Sequence, residues 1–281
     1  MSDIPDFKLP SGQVIKCGAL LPDMTKVKAG ITQYFEDLYP NLIMDDSDIL
    51  KLIKNPNWVP ARKRYDTHWV VKGNQGPFGS CNGWMTAMIA SKLRWIRGIR
   101  DGKTQADQIV LSGNYIYSLL NGGRDNGSAL QDDIGEMINN GAPSVDSCPA
   151  NLIWRKDTEK FDAEAAKHKC SEGDWLPVKT IQGWKSAIAQ GALGAMCVDV
   201  NNAFANYKGN GLTPTGNGVG NHAIHADDVE EYKGKVVVAP PNNWGLGWGD
   251  QGRGLLIPEE AGARTFGYHQ WYVGFSTLEA S

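Results

Sequence analysis

Apolar side chains recur at helical spacing through the first half of the chain and give way to short β-prone runs in the second. Met24 to Tyr39 and Asp46 to Lys54 mix i, i+3 and i+4 apolar spacings, and in the second run the acidic residues before Ile49, Leu50, Leu52 and Ile53 mark a helix start. Asn55-Pro56 then punctuates the chain. His68-Trp69-Val70-Val71-Lys72 reads as extended, and Gly73 to Ser80 as a loop. A long helix is predicted from Cys81 to Ile99, with Met85, Met88, Ile89, Leu93 and Ile96 on one face and Ser80 placed to cap it. A further helix is predicted over Ala129 to Asn139, closed by Gly141 and Pro143. After Trp175, Ala195–Val200, His222–Asp227, Lys235–Ala239 and Gly254–Ile257 are β-prone and separated by Gly, Asn and Pro. Helices first and strands later predict an α+β protein with two lobes.

Composition adds little but excludes much. The 281 residues are 41% hydrophobic and 21% charged, ordinary for a globular protein and long enough to bury a core without staples. A net charge of −3 leaves no basic footprint for nucleic acid, and Arg62-Lys63-Arg64 reads as a solvated run. No stretch has the ~18 consecutive apolar residues of a membrane helix, and the first residues lack the pattern of a secretory signal. Neither a nucleic-acid partner nor a membrane is therefore expected. Five cysteines without a CxxC pair fit a cytoplasmic or otherwise reducing compartment better than a disulfide framework, although a Cys148–Cys170 bridge stays open. The sequon at Asn126 is idle if the protein is not secreted.

Candidate chemistry gathers at Cys81. It follows a glycine-rich loop and opens a helix, where free N–H groups and the helix dipole favour a thiolate. Position alone is weak, because most cysteines are buried small hydrophobes, as Cys197 is expected to be. His222 and His225 with Asp227 and Asp228 suggest a metal site, but strand alternation would put the two histidines on opposite faces. The run Gly216 to Gly220 precedes a β-prone segment, whereas a nucleotide loop follows a strand and opens a helix. No metal or cofactor is expected.

Three segments together carry a resemblance. Gln75-Gly76-Pro77-Phe78-Gly79-Ser80-Cys81, Asn221-His222-Ala223 and Asn242-Asn243-Trp244-Gly245-Leu246-Gly247-Trp248-Gly249 resemble, in order, the nucleophile, histidine and asparagine segments of the papain-like cysteine peptidases. His222 and Asn242 follow Cys81 by 141 and 161 positions, against roughly 130–150 for the downstream partners of such a cysteine. Leu111 to Tyr115 looks like the family's Leu-Ser-x-Gln segment, so roughly residues 57–275 are covered.

The resemblance implies a papain-like fold, with a helical left lobe over about 72–172, a β-barrel right lobe over about 173–275 and a cleft between them. It also implies a cysteine endopeptidase that acts on peptide or protein substrates through a thioester acyl-enzyme. Cys81 would be the nucleophile, His222 its base, Asn242 the residue orienting the imidazole, and Gln75 an oxyanion donor. Trp244 would shield the His–Asn pair. Gly122 and Gly123 would pair with substrate backbone, with Asp125-Asn126-Gly127 as the alternative strip, and Met196 and Ala223 would line an apolar pocket.

The chain also departs from the family. Phe78 stands where secreted members place a half-cystine. Asn82-Gly83-Trp84 follows the nucleophile with two poor helix formers, and Pro240-Pro241 precedes Asn242. Residues 1–56 read as a separate extension, either a short prosegment over the cleft or a docking arm for an assembly partner. The runner-up function is a papain-like module with little activity, serving in assembly, for instance of a phage particle. A Cys/His amidase would leave the Gln75 and Asn242 segments unexplained.

Overall fold

The computed structural model describes residues 6–20, 33–65, 67, 73–100, 102, 108–215, 220–261 and 271–274. The extended run expected at 68–72 and most of the helix expected from Met24 lie outside them. The chain opens with a hairpin of β1 (Asp6–Lys8) and β2 (Val14–Lys16), followed by β3 (Ala19–Leu20). Three short helices come next: α1 (Phe35–Leu38), α2 (Asp46–Lys54) and α3 (Ala61–Arg64). Asp45 caps α2 by accepting from Asp48 N at 2.9 Å, and Lys51 and Lys54 lie in its last turn, where the helix dipole favours cations.

The left half is built on α4 (Cys81–Arg100), α5 (Gly113–Leu120) and α6 (Leu130–Asn139). Met85, Ile89 and Leu93 of α4 share a core with Ala195, Cys197 and Ala223 of the sheet, while Ala87 and Ala90 pack against Tyr115 and Met137. Buried on both sides, α4 is the spine between the halves. Met88 leaves the predicted face and packs with Trp95. Ser80 does not serve as the expected side-chain acceptor: its hydroxyl donates to Asn114 Oδ1 at 2.6 Å, which also accepts from Trp84 Nε1 at 2.6 Å.

Asn82 and Gly83 do not weaken the start of α4. A Cβ on Gly83 would lie 2.4 Å from Gly113 O, so the glycine lets α5 cross at backbone distance. Asn82 Nδ2 donates to Ser128 O at 2.7 Å, which ties α4 to β4 (Ser128–Ala129).

The right half carries β5 (Trp175–Pro177), α7 (Ile181–Ala189), β6 (Leu193–Val200), β7 (Gly220–Ala226), β8 (Val229–Tyr232), β9 (Lys235–Val238) and β10 (Trp271–Gly274). Four strands form an antiparallel sheet in the order β5-β10-β6-β7, and β8–β9 is a separate hairpin. A closed ring of strands is not seen among the described residues. Gly254–Ile257 contributes only a single bridge, Leu256 to Val238. The second large core, around Trp184, Phe204, Trp244 and Trp248, lies on the far side of this sheet from α4. Fold class is therefore α+β, as the pattern of helices and strands predicts.

Candidate active site

As the first residue of α4, Cys81 sits where unpaired backbone N–H groups collect. The residue is fully buried. Burial pushes its thiol up to about 11, and backbone hydrogen bonds from Ala223, Gly18 and Asn82 offset this only in part. Cys17 and Cys197 are driven well up by burial as well, and all five cysteines are free thiols.

Strand β7 supplies His222. Its Nε2 lies 2.8 Å from Asn242 Oδ1, which also accepts from Asn243 N at 2.8 Å. An acceptor there makes Nε2 the protonated nitrogen and leaves Nδ1 as the base. Nδ1 is buried and has no hydrogen-bond partner among the described residues. Burial drags His222 down to about 4, against the opposing pull of Asn242. The Trp244 ring covers the imidazole at a centroid distance of 4.5 Å, and Phe204 meets it edge-on at 6.1 Å. The proline pair before Asn242 does not displace the asparagine: Pro240 O accepts from Gly254 N at 3.0 Å and Asn242 N donates to Gly252 O at 2.8 Å.

Gln75 joins the same cluster. Trp244 Nε1 donates to its Oε1 at 3.2 Å, which leaves Nε2 as the donor, and Nε2 gives one hydrogen to Phe78 O of its own loop at 2.7 Å. Gln75 N donates to Asn243 O at 2.9 Å, and Asn243 Nδ2 donates to Cys81 O at 3.1 Å. The segments bearing Gln75, Cys81, His222 and Asn242 are thus stitched together through Asn243 and Trp244. Asn243 and Asp125 lie in segments that the sequence points to, but the ties they make are not readable from it. Asp125 accepts from Gly79 N and Tyr117 Oη, both at 2.9 Å, and so holds the nucleophile loop.

The chain's own residues 14–20 cover this cluster. Gln75 Nε2 donates to Lys16 O at 2.8 Å, and Lys16 Nζ pairs with Asp125 at 3.1 Å. Ser128 N donates to Gly18 O at 2.9 Å, and β3 runs parallel to β4. Ala19 is buried in the cluster that holds Cys81, Cys197 and Ala223. The approach is so close that a Cβ on Gly18 would lie 2.1 Å from Gly79 O, and one on Gly127 would lie 2.1 Å from Gly18 O.

This arm shows which surfaces an extended chain meets. Gly127, at φ 84°, and Ser128 meet it, whereas Gly122 and Gly123 form an exposed turn with open space around them. The alternative strip at Asp125-Asn126-Gly127 is the one in contact. Ala223 faces the arm's side of the sheet, but Met196 does not. Register pairs Met196 with Ile224 and Cys197 with Ala223, so Met196 points into the Trp184–Trp244 core and Cys197 takes the place expected of it.

No family model matches the sequence, and no curated protein matches it. Solved structures do. Xylellain, a cysteine protease from Xylella fastidiosa, aligns over 99% of this chain and 100% of its own at 16% identity, with a TM-score of 0.60. Procathepsin B S9 from Trypanosoma congolense aligns over 92% and 85% at 15% identity, also at 0.60. The proform of the ragweed pollen cysteine protease Amb a 11 aligns over 90% and 73% at 17% identity, again at 0.60. At these identities the likeness is one of fold, and the chain folds as a papain-like cysteine protease does.

Proposed function

We propose that the protein is a cysteine endopeptidase held in a closed resting state by its own residues 14–20. One observation carries the reading: the Lys16 carbonyl takes the hydrogen of the Gln75 amide that Phe78 O leaves over, the group suited to an oxyanion, while Cys81 and the His222–Asn242 pair stay buried. In this state the thiol at about 11 and the imidazole at about 4 keep the proton on sulfur. Once the arm leaves, water and substrate dipoles reach both groups, and the thiolate–imidazolium pair becomes accessible.

The chemistry then follows from the donors. The Cys81 thiolate attacks the scissile carbonyl, and Gln75 Nε2 with the Cys81 N–H supports the charge on its oxygen. His222 Nδ1 delivers its proton to the leaving amine and later takes one from the water that hydrolyses the thioester. Asn242 keeps the ring in plane. Substrate backbone pairs with Gly127-Ser128, and a side chain enters the apolar surface made by Cys197 and Ala223. Peptides and proteins are the substrate class, and five free thiols suit a reducing compartment.

Full coverage of Cys81 also favours a second reading, a papain-like module that binds a partner without turning over substrate. A peptidyl epoxide applied to the full-length protein separates the two. Wild type should label slowly. Gly18→Val, whose side chain cannot fit against Gly79 O, should expel the arm and label at Cys81 alone, and Cys81→Ala should abolish the adduct. A folded Gly18→Val protein left unlabelled, or labelled equally at Cys17 and Cys148, would sink the peptidase reading.

A further inference from the structure

Behind the candidate site lies a buried cluster of charges. Lys92 is on α4, eleven residues and about three turns beyond Cys81, and is wholly buried. Its Nζ meets Asp227, the residue after β7 and the fifth after His222. Arg253 grips the same carboxylate with both arms of its guanidinium, Nη1 to Oδ1 at 2.9 Å and Nη2 to Oδ2 at 3.0 Å. Nη1 also donates to Ala239 O at 2.9 Å. The residues on either side of Arg253 hold the asparagine segment: Gly252 O accepts from Asn242 N and Gly254 N donates to Pro240 O.

Each arm of this triad therefore belongs to a different part of the site. Lys92 is rigidly joined to the cysteine through one helix, Asp227 to the histidine through one extended strand, and Arg253 to the asparagine through two backbone hydrogen bonds. We infer that the Lys92–Asp227–Arg253 triad is a positioning device that sets His222 and Asn242 against Cys81; the inference rests on the peptidase reading.

Energetics favour positioning over stabilisation. Stripping water from charged groups largely cancels their attraction, so apolar residues of the same volume would hold the core as well. What apolar residues cannot do is fix direction. A forked guanidinium on a carboxylate sets both the distance and the plane of the pair. Burial pushes Asp227 up, but Arg253 and Lys92 outweigh it and hold the carboxyl well below its usual range. Burial pulls Lys92 down to about 8 against the attraction of Asp227. Around the triad stand His225, buried and with no hydrogen-bond partner for its Nε2 among the described residues, and Asp228, which pairs with Arg62 Nε at 2.7 Å. Arg62 in turn reaches Glu230 at 3.2 Å, so three cations face three carboxylates.

The test uses full-length protein carrying Gly18→Val, so that the cleft is open and Cys81 alkylation by the peptidyl epoxide can be timed. Arg253→Lys keeps the charge and loses the fork. Lys92→Met removes one cation while Asp227 keeps Arg253. Each is expected to slow Cys81 labelling between about tenfold and a hundredfold, the scale of an ångström-sized misplacement, and to move the pH midpoint of labelling upward. Cys148 and Cys170 should stay as unreactive as in the parent. Unchanged rates and midpoint in both variants overturn the proposal. So does a slowing that comes with exposure of Cys148 and Cys170, because that is loss of structure. If the Gly18→Val parent is itself not labelled, the peptidase reading fails instead. The His222 ring titration, followed by NMR in the same variants, then decides: a midpoint displaced from the parent's supports positioning, and an unmoved one overturns it.

Discussion

At the scale of single residues, the site depends on two side-chain amides held in one orientation. Asn242 Oδ1 fixes the His222 tautomer, and Trp244 Nε1 fixes which end of Gln75 faces the cleft. Replacing Asn242 by Ala leaves Nε2–H buried without an acceptor and the ring free to turn. In the Gly18→Val background, Cys81 labelling should fall by at least about tenfold. His222 also has a pH signature. Its folded value, about 4, lies below the ~6.5 of an unfolded histidine, so the unfolded chain binds a proton first as pH falls. The closed protein should lose stability between about pH 6.5 and 4, on the order of 3 kcal/mol from this group, and regain none on further acidification. Urea midpoints against pH, compared with His222→Gln, check this; identical slopes would remove the assignment.

The polar residues of the cluster are legible in the sequence because each sits in a short segment whose neighbours share its task. Parity is not legible. Whether Met196 or Cys197 faces Ala223 turns on a one-residue register that only the partner strand fixes. Nor does the sequence tell that residues 14–20 lie on Gly127 and Ser128 and not on Gly122-Gly123.

Among elements, the decisive contact is the crossing of α4 and α5. The apolar period over Cys81–Ile99 locates α4 to within a residue of its observed end at Arg100. By propensity, Asn82-Gly83 reads as a weak start, whereas the structure uses it for close approach. Gly83→Ala would place a methyl 2.4 Å from Gly113 O and 3.2 Å from Asp133 Oδ1. Both partners are held, one by α5 backbone and the other within a buried region where its carboxyl is pushed well up by burial. Overpacking of this kind costs about 1–3 kcal/mol. Chemical denaturation of Gly83→Ala should show a loss in that range. A neutral result would mean that the helices separate freely, and with them the start of α4. Propensity failed here because the benefit of the glycine lies in another helix far along the chain.

Across the whole molecule, residues before the nucleophile divide their contacts. Residues 14–20 reach the cleft, but Phe7, Leu9, Ile15 and Cys17 are also buried in the right-half core, the core in which Phe35 and Ile49 of the belt 33–65 pack. Asn55-Pro56 turns within this belt: beyond it Trp58 Nε1 still donates to Ala189 O at 3.2 Å, and Arg62 still pairs with Asp228. Apolar spacing in the sequence shows that such a segment is anchored but not to what. The belt's firmest point is Glu36, whose carboxylate accepts from Lys179 N and Thr180 N at 2.9 Å ahead of α7. Thr180 in turn caps that helix, accepting from Gly183 N at 2.8 Å. A carboxylate at a helix start satisfies orphan donors and complements the dipole. Glu36→Ala should therefore cost about 0.5–2 kcal/mol of stability while leaving the Cys81 labelling rate of the Gly18→Val parent unchanged. Gly18→Val itself, by contrast, should raise labelling and also lower the urea midpoint, because an arm that leaves the cleft exposes the buried Ile15, Cys17 and Ala19. If Glu36→Ala also exposes Cys81, the belt and the arm open together, and closure of the cleft belongs to the whole segment rather than to residues 14–20.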